Sequence, residues 1–274
     1  MWWQMLTFVT DFGVLYSIML IESTRKANSI TFARLPLSFG LAAQLRGIGV
    51  VGPSYFFLHY ISSQLPSVGS SEKHLVRPAY TRTLFPAMIL GFYAPHFLSM
   101  LHPSFAARHD WGWIWQMFPV WAVLIQFIFT YSFKLAGASE ARIKDQKEIL
   151  QTTRTTIGSS IVLSAIVWLY VLTMSPFPLR GIFLPHFTPP NRGWVEVIGN
   201  FLQYDYLFCW GSSLLWLGHL FRDLKKIGSV RQSWIALLAR TVVTSAALGP
   251  GAAVGLAGLW REGLLTNKDN HSKD

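Results

Sequence analysis

Residues 201–210 read FLQYDYLFCW and place one carboxyl group, that of Asp205, inside an aromatic and apolar stretch. The stretch continues far enough on both sides to cross a bilayer as a helix, which needs about 20 mostly apolar residues. An aspartate at the centre of such a helix opposes insertion by about 2.5–3.5 kcal/mol. We therefore expect Asp205 to pair with a cation, to line an internal cavity, or to be kept protonated by its apolar surroundings.

The composition of the whole chain is typical of a membrane protein. Of its 274 residues, 51% are hydrophobic and 13% are charged, whereas a soluble domain has about 25% charged residues. The net charge of +10 raises the alternative of a nucleic-acid-binding protein. We exclude nucleic acid as a partner because the basic residues lie in short loops between apolar runs, where they meet lipid headgroups.

Seven apolar runs are long enough to be transmembrane helices. They cover residues 3–21, 36–61, 83–101, 113–133, 157–174, 197–221 and 234–259. The sequence thus predicts an all-α polytopic membrane protein, with about seven transmembrane helices in one bundle. We expect a single domain over residues 1–265 and a polar, disordered tail over residues 266–274.

Glycine and proline interrupt two of the predicted helices. The second contains Gly47, Gly49 and Pro53, where we expect a kink. The seventh contains Gly249 and Gly251 on either side of a proline, with small residues that let helices approach closely. No internal repeat is visible in the sequence.

Threading seven helices through a bilayer brings several polar side chains to one half of the bundle. Asp205 lies about eight residues into the sixth helix, or roughly 12 Å deep at 1.5 Å per residue. The polar residues of this half are Glu22, Arg46, His96, Gln116 and Asp205. A guanidinium within a span normally pairs with an internal carboxylate, and Asp11, Glu22 and Asp205 are the alternatives for Arg46. A pair between Arg46 and Asp205 would be structural, and it would make the acid a poorer proton donor.

Several enzyme motifs are missing from the sequence. There is no DDxxD or NDxxDxxxD motif, so ionisation of a prenyl diphosphate is disfavoured, and there is no DxDD motif of the soluble protonating cyclases. There is no HxxxH or HxxHH motif of the di-iron enzymes, and no GxSxG motif or P-loop. His96, His102 and His109 lack the tight spacing of metal ligands. Cys209 is the only cysteine, which excludes an intrachain disulfide; we expect no bound metal.

Three stretches of the chain resemble a known family. Residues 25–36 read RKANSITFARLP, residues 52–60 read GPSYFFLHY, and residues 115–121 read WQMFPVW. They are similar to fungal integral-membrane terpene cyclases, in the branch of the ascofuranone-pathway cyclase and its relatives in meroterpenoid gene clusters. The resemblance covers most of the first six predicted helices.

The resemblance implies a cofactor-free enzyme of the endoplasmic reticulum membrane. Its substrate would be a hydrophobic prenylated small molecule, an aromatic compound or polyketide with a linear farnesyl-type chain. An acid would protonate a terminal epoxide or alkene, and neighbouring double bonds or a hydroxyl would trap the carbocation. Membrane lipid is then the surrounding partner, and the sequence leaves the oligomeric state open.

The polar residues suit this chemistry. Asp205 is the candidate general acid, which has to be protonated at working pH, and Glu22 could take the final proton or hold a substrate hydroxyl. Aromatic rings stabilise positive charge through their negative faces. Candidates for lining the substrate and cation site are Tyr204, Tyr206, Trp210, Tyr93, Trp115, Gln116 and His96. Arg46 and Asp11 are candidates for orienting the acid.

Other functions use the same residues differently. A membrane isomerase acting on a sterol-like alkene would share the protonation step without closing a ring. A non-catalytic carrier of lipids or small molecules would more often have inverted repeats or paired broken helices. A scaffold would need Asp205 only for structure, so Asp205→Asn would leave its function intact.

Overall fold

A computed structural model of the protein describes residues 1–25, 28–62, 78–135, 146–186 and 193–271. Over these residues the chain is helical, which confirms the all-α prediction, with a short 3₁₀ turn at Phe32–Arg34 and a π-helical turn at Ile89–Tyr93. The helices are α1 (Trp2–Thr24), α2 (Pro36–Arg46), α3 (Ile48–Ser62), α4 (Pro78–Met88), α5 (Ala94–Leu101), α6 (Phe105–Gln116), α7 (Phe118–Leu135), α8 (Gln146–Met174), α9 (Leu179–Phe183), α10 (Trp194–Lys226), α11 (Trp234–Leu248) and α12 (Pro250–His271).

Four helical segments in the described ranges are long and apolar enough to cross a membrane, judged by length and composition. They are Trp2–Thr24, Thr81–Leu101, Phe118–Leu135 and Leu150–Met174. The segment Thr81–Leu101 combines α4 and α5 through the π-helical turn. The count of seven spans stays a prediction, and two of the predicted spans are not single helices.

The second predicted span is a hairpin of two short helices, α2 and α3. They meet at Gly47, whose φ is +84°. Phe39 in α2 and Tyr55 in α3 lie equally far along the chain from Gly47, and their ring centroids are 4.9 Å apart. The chain therefore reverses its direction at Gly47, where the sequence predicted only a kink.

The seventh predicted span is a second hairpin, formed by α11 and α12. They meet at Gly249, whose φ is +91°. Leu237 in α11 and Trp260 in α12, at similar distances from Gly249 along the chain, pack against the same apolar cluster around Phe221. Positive φ is readily accessible to glycine alone, so a glycine allows the reversal in both hairpins.

α1 is the central helix of the bundle, and all of its residues from Leu6 to Glu22 are buried. It runs parallel to α10, because Gln4 donates to the Gly199 carbonyl at 3.4 Å and Tyr206 donates to Asp11 at 3.3 Å. The later residue of α1 thus contacts the later residue of α10, so the two helices run in the same direction. α8 runs in the opposite direction, since its Ser164 hydroxyl donates to Asp11 at 2.6 Å while its earlier Ser160 pairs with Ser17 further along α1 at 3.3 Å.

The two hairpins meet the parallel helices α1 and α10 in the same way. The start of α3 packs against Asp205 of α10, and a Cβ on Gly49 would lie 2.7 Å from the Asp205 Oδ1 atom. The start of α12 packs against Asp11 of α1, and a Cβ on Gly251 would lie 2.6 Å from the Asp11 Oδ1 atom. The structure thus repeats one arrangement, although the sequence reveals no repeat.

α12 extends past the boundary that the sequence predicted at residue 265. It continues to His271, within the segment 266–274 whose disorder stays a prediction. Residues 272–274 lie outside the described part of the chain. The single domain over residues 1–265 stays a prediction.

We expect Gly249→Ala to destabilise the protein by about 1–3 kcal/mol, the usual cost of holding a non-glycine residue in such a conformation. The added Cβ would also lie 3.1 Å from the Trp168 side chain. Thermal unfolding of the detergent-solubilised protein measures the effect. Gly218→Ala in α10 is the control, because a Cβ there meets nothing within 4 Å. Equal unfolding temperatures for the two variants would contradict the reversal at Gly249.

Candidate active site

A pocket of about 490 Å³ lies beside the reversal of the first hairpin. Its volume falls within the range of about 300–1,000 Å³ for sites that hold small molecules. Residues from α1, α2, α3, α6 and α10 line it: Met5, Phe8, Val9, Phe12, Ala43, Gln44, Leu45, Arg46, Gly47, Ile48, Trp115, Gln116, Phe201, Leu202 and Asp205. The pocket is therefore mainly apolar, with a few polar groups at α2, α6 and α10.

Asp205 lies on the pocket and is 7% exposed as a whole residue. Its Oδ1 atom accepts a hydrogen bond from the Gly49 amide at 3.0 Å, and its Oδ2 atom accepts one from the Ile48 amide at 3.2 Å. These amides begin α3, where backbone N–H groups have no partner within the helix. Asp205 thus lines a cavity and is held by a helix N-terminus rather than by a cation.

Two glycines allow this contact. A Cβ on Gly47 would lie 2.7 Å from the Asp205 Oδ1 atom, and a Cβ on Gly49 would lie 2.8 Å from the Asp205 Cα atom. Both distances are shorter than side chains tolerate, so neither position has room for a larger residue. The glycines that suggested a kink in the sequence thus bring α3 against the carboxyl group.

Arg46 lines the same pocket without pairing to an acid. It ends α2 one residue before the reversal, and its side chain is exposed. The ion pairs found among the described residues join other basic side chains to Glu22, Glu262 and Asp223. The predicted pairing of Arg46 with Asp11, Glu22 or Asp205 is therefore wrong, because the reversal leaves the Arg46 side chain outside the packed core.

Trp115 and Gln116, at the end of α6, reach the pocket as the sequence suggested. The Trp115 ring stacks on Phe118 with centroids 5.3 Å apart. Its indole Nε1 atom is buried without a hydrogen-bond partner in the described part of the chain. Together with Phe8 and Phe12 of α1, Trp115 gives the pocket an aromatic wall.

The three aromatic neighbours of Asp205 in sequence do not line the pocket. The Tyr204 hydroxyl donates to the His186 carbonyl at 3.4 Å. Tyr206 donates to Asp11 and packs edge-on against Trp210 at 5.9 Å between centroids. Helical spacing explains the difference, because Phe201 and Leu202 share the face of Asp205 whereas its direct neighbours point elsewhere.

Tyr93 and His96 also lie away from the lining. Tyr93 packs against Gly13, where an added Cβ would meet its hydroxyl at 2.4 Å. The His96 Nε2 atom is 3.1 Å from the Thr10 hydroxyl. Both side chains are buried between α1 and the α4–α5 segment, so they help to pack the bundle.

Asp11 is a second buried carboxyl group with its own set of partners. Ser164 donates to its Oδ1 atom and Tyr206 donates to its Oδ2 atom, while the Gly251 amide also interacts with it. Asp11 makes no hydrogen bond to Asp205 among these contacts, and Arg46 makes none either. The two residues that we expected to orient the acid therefore do not contact it.

Glu22 belongs to a buried ionic network between the C-terminal end of α1 and the middle of α12. Its Oε2 atom accepts from Arg25 Nε at 2.9 Å, and its Oε1 atom accepts from Arg261 at 2.5 Å. Arg25 also pairs with Glu262. Burial disfavours the charge of Arg25, but Glu22 and Glu262 outweigh burial and raise its pKa above the ordinary value for arginine.

Two neutral groups complete the contacts of Glu22. Asn28 donates to its Oε2 atom at 3.2 Å, and His59 Nε2 lies 3.3 Å from the same atom. The Trp216 indole N–H, which can only donate, bonds to His59 Nδ1 at 3.1 Å. The neutral ring of His59 therefore carries its proton on Nε2 and donates it to Glu22.

The structure separates Glu22 from Asp205. Glu22 contacts His59, and Asp205 contacts Gly49, which lies ten residues earlier in α3. At 1.5 Å per residue these contacts are about 15 Å apart along the helix. The expected convergence of both acids on one half of the bundle fails because the second span reverses instead of crossing.

The lining residues of α1 were not found by reasoning from the sequence. Met5, Phe8, Val9 and Phe12 follow the spacing of one helix face. In an apolar helix, however, a stripe that faces lipid, core or cavity looks the same. Only their position beside Asp205 in three dimensions distinguishes them.

Comparison with known proteins identifies the family of the chain. The chain belongs to the CtvD domain family, whose model matches residues 2–266. It is 27% identical over 262 residues to the terpene cyclase ctvD of Aspergillus terreus, covering 88% of this chain and 71% of that protein. It is 23% identical over 282 residues to the terpene cyclase ascI of Acremonium egyptiacum, covering 92% of this chain and 69% of that protein.

Longer proteins also match. The chain is 31% identical over 259 residues to the FAD-dependent monooxygenase verC1 of Penicillium polonicum, covering 94% of this chain and 32% of that protein. The chain thus spans about a third of the length of the relatives named as monooxygenases. No solved structure matches the chain.

We expect Glu22→Gln to destabilise the protein by about 3–5 kcal/mol, because it leaves buried arginine charges without their partner. Glu22 is 2% exposed and pairs with Arg25 and Arg261. Asp110→Asn on the exposed surface of α6 is the matched control, with an expected effect below about 0.5 kcal/mol. Thermal unfolding in detergent compares the two, and equal stability would show that the network contributes little.

Proposed function

We propose that this chain is a membrane-bound terpene cyclase that protonates a terminal epoxide or alkene on a linear prenyl chain of a meroterpenoid intermediate, with Asp205 as proton donor. Membership of the CtvD domain family and the relatives named terpene cyclases support this class of reaction. The mechanism rests on one observation: a carboxyl group in an aromatic pocket, bonded to two backbone amides at the start of α3.

The pocket suits a carboxyl group that donates a proton. Burial among apolar residues favours the neutral acid before the reaction. Each carboxyl oxygen accepts one backbone N–H bond, Oδ1 from Gly49 at 3.0 Å and Oδ2 from Ile48 at 3.2 Å. These two bonds fix the orientation of the acid towards the pocket.

The same two amides assist the transfer itself. As the proton leaves, negative charge develops on Asp205 and both N–H groups strengthen their bonds to it. The positive end of the α3 dipole adds to this stabilisation. Donors that are already in place need no reorganisation during the reaction, which is the general advantage of a preorganised site.

The proton goes to the epoxide oxygen or the alkene carbon of the substrate. In the epoxide case the carbon–oxygen bond breaks, and the electrons of the neighbouring double bond form the new carbon–carbon bond. Positive charge then moves along the chain, where Trp115, Phe8 and Phe12 present aromatic rings that favour a cation. A substrate hydroxyl or the loss of a proton ends the cascade.

Asp205 can also take up the proton that the substrate releases at the end of the reaction. Asp205 is the single carboxylate among the lining residues, and after the first step it is ionised. It can therefore take back the proton released when the final cation is quenched. This assignment replaces Glu22 as the terminal base, because Glu22 is bound within its ionic network about 15 Å away along α3.

The names of the longer relatives do not decide the activity of this chain. It matches about a third of each FAD-dependent monooxygenase but about 70% of the two terpene cyclases. We therefore base the proposed reaction on the terpene cyclases. The endoplasmic reticulum membrane is the proposed location, in keeping with the apolar helices.

We expect Asp205→Asn to abolish cyclisation. Microsomes from a yeast host that expresses equal amounts of each variant would be given farnesylated phenols with and without a terminal epoxide. Glu196→Gln, an exposed change on the same helix, is the control and is expected to cyclise normally. Normal cyclisation by Asp205→Asn would remove Asp205 from the mechanism, and rearranged alkenes without new rings from the wild type would favour an isomerase.

We expect Trp115→Leu to slow cyclisation and to release more partly cyclised products. Loss of a cation–π contact of about 0.5–2 kcal/mol corresponds to a rate decrease of up to about thirtyfold. Trp113→Leu on the exposed side of α6 serves as the control. Unchanged rates and products for Trp115→Leu, measured by liquid chromatography with mass spectrometry, would argue against a cation beside this ring.

A further inference from the structure

The Arg46 guanidinium lies on a mainly apolar pocket and has no ion-pair partner among the described residues. It forms no ion pair or hydrogen bond with the described residues, whereas Arg25 and Arg261 are paired with Glu22 and Glu262. The remaining polar side chains of the lining are Gln44, Gln116 and Asp205. None of these three neutralises the guanidinium in the structure.

The side chain has no evident packing role that would explain its presence. It is exposed, and the next residue, Gly47, makes the contact with Asp205. A cation at the end of α2 interacts favourably with the helix dipole, but a lysine or histidine would do the same. A planar guanidinium is distinctive in binding a carboxylate through two parallel hydrogen bonds.

We propose that Arg46 forms a subsite for an acidic head group of the substrate, a carboxylate or an acidic phenol or enol, while the prenyl chain fills the apolar part of the pocket. The proposal rests on the proposed function, since it concerns the same pocket. The pocket lining would then have two regions, each of which contacts a different part of the substrate. Phe8, Phe12 and Trp115 contact the chain, and Arg46 with Gln116 binds the oxygen atoms of the head.

This subsite also explains why Arg46 and Asp205 lie on one pocket without pairing. A salt bridge between them would favour the ionised form of Asp205 and weaken it as an acid. A bound anion would neutralise Arg46 and so leave the carboxyl group of Asp205 free to remain protonated. Substrate binding and the protonation of Asp205 are then mutually favourable.

Binding of an unreactive ligand pair tests the subsite without relying on turnover. The probes are 4-hydroxybenzoic acid bearing a saturated farnesyl chain and its methyl ester, neither of which has a double bond or epoxide to protonate in the chain. Equilibrium binding would be measured with the full chain in nanodiscs of neutral phosphatidylcholine. The neutral lipid prevents an anionic headgroup from competing for Arg46.

We expect the acid to bind the wild type at least about tenfold more tightly than the ester, the usual effect of a hydrogen bond to a charged group. Arg46→Gln should abolish this preference, and Arg46→Lys should keep part of it. Arg180→Gln, an exposed change in α9 away from the lining, should leave the preference intact.

Three results would overturn the subsite while leaving the cyclase proposal in place. Equal binding of acid and ester to the wild type would show that no anion is recognised. A preference for the acid that survives in Arg46→Gln would assign the recognition to another group. If neither probe bound although epoxide substrates were cyclised, the head-group subsite would also fail, whereas absence of both binding and cyclisation would count against the pocket itself.

Discussion

A carboxyl group buried among apolar helices has to find hydrogen-bond donors, and this requirement determines much of the structure. Asp11 and Asp205 each lie within a long helix, whose own amides are already bonded along the chain. Free amides exist only where a helix begins, so each carboxyl group is met by the start of another helix. Interrupted helices are tolerated in lipid only where their backbone is satisfied by protein. The two chain reversals and the two buried acids therefore depend on each other.

The candidate site is a consequence of the first of these contacts. α2 and α3 form a hairpin whose turn lies against Asp205 of α10, instead of one helix that crosses the bundle, and the pocket lies beside that turn. Asp205 consequently has two functions, since it stabilises the reversal and presents an oxygen to the pocket. Asp11 has the structural contact alone, because it is 0% exposed and does not line the pocket. The contact between a buried aspartate and the start of a helix thus occurs twice, but only the contact at Asp205 borders the pocket.

The sequence predicted the features that depend on composition and local pattern. It indicated an all-α chain with apolar helices long enough to cross a membrane, and it placed Trp115 and Gln116 close to Asp205. It did not predict the reversals, because Gly47 and Gly249 are compatible with a kink as well as a turn. The outcome is decided by partners far away in the chain. The missed reversal at Gly47 is also the reason why the sequence placed Glu22 in the same half of the bundle as Asp205.

The helices that form the walls of the pocket differ in how many buried residues they contribute to the core. α1, α3 and α10 supply buried residues to the bundle, whereas α6 has no buried residue and yet contributes Trp115 and Gln116 to the lining. Most substitutions in α6 would therefore leave the packed core of the bundle intact. α6 is the wall through which the shape of the pocket can change while the contacts between Asp205 and α3 stay as they are.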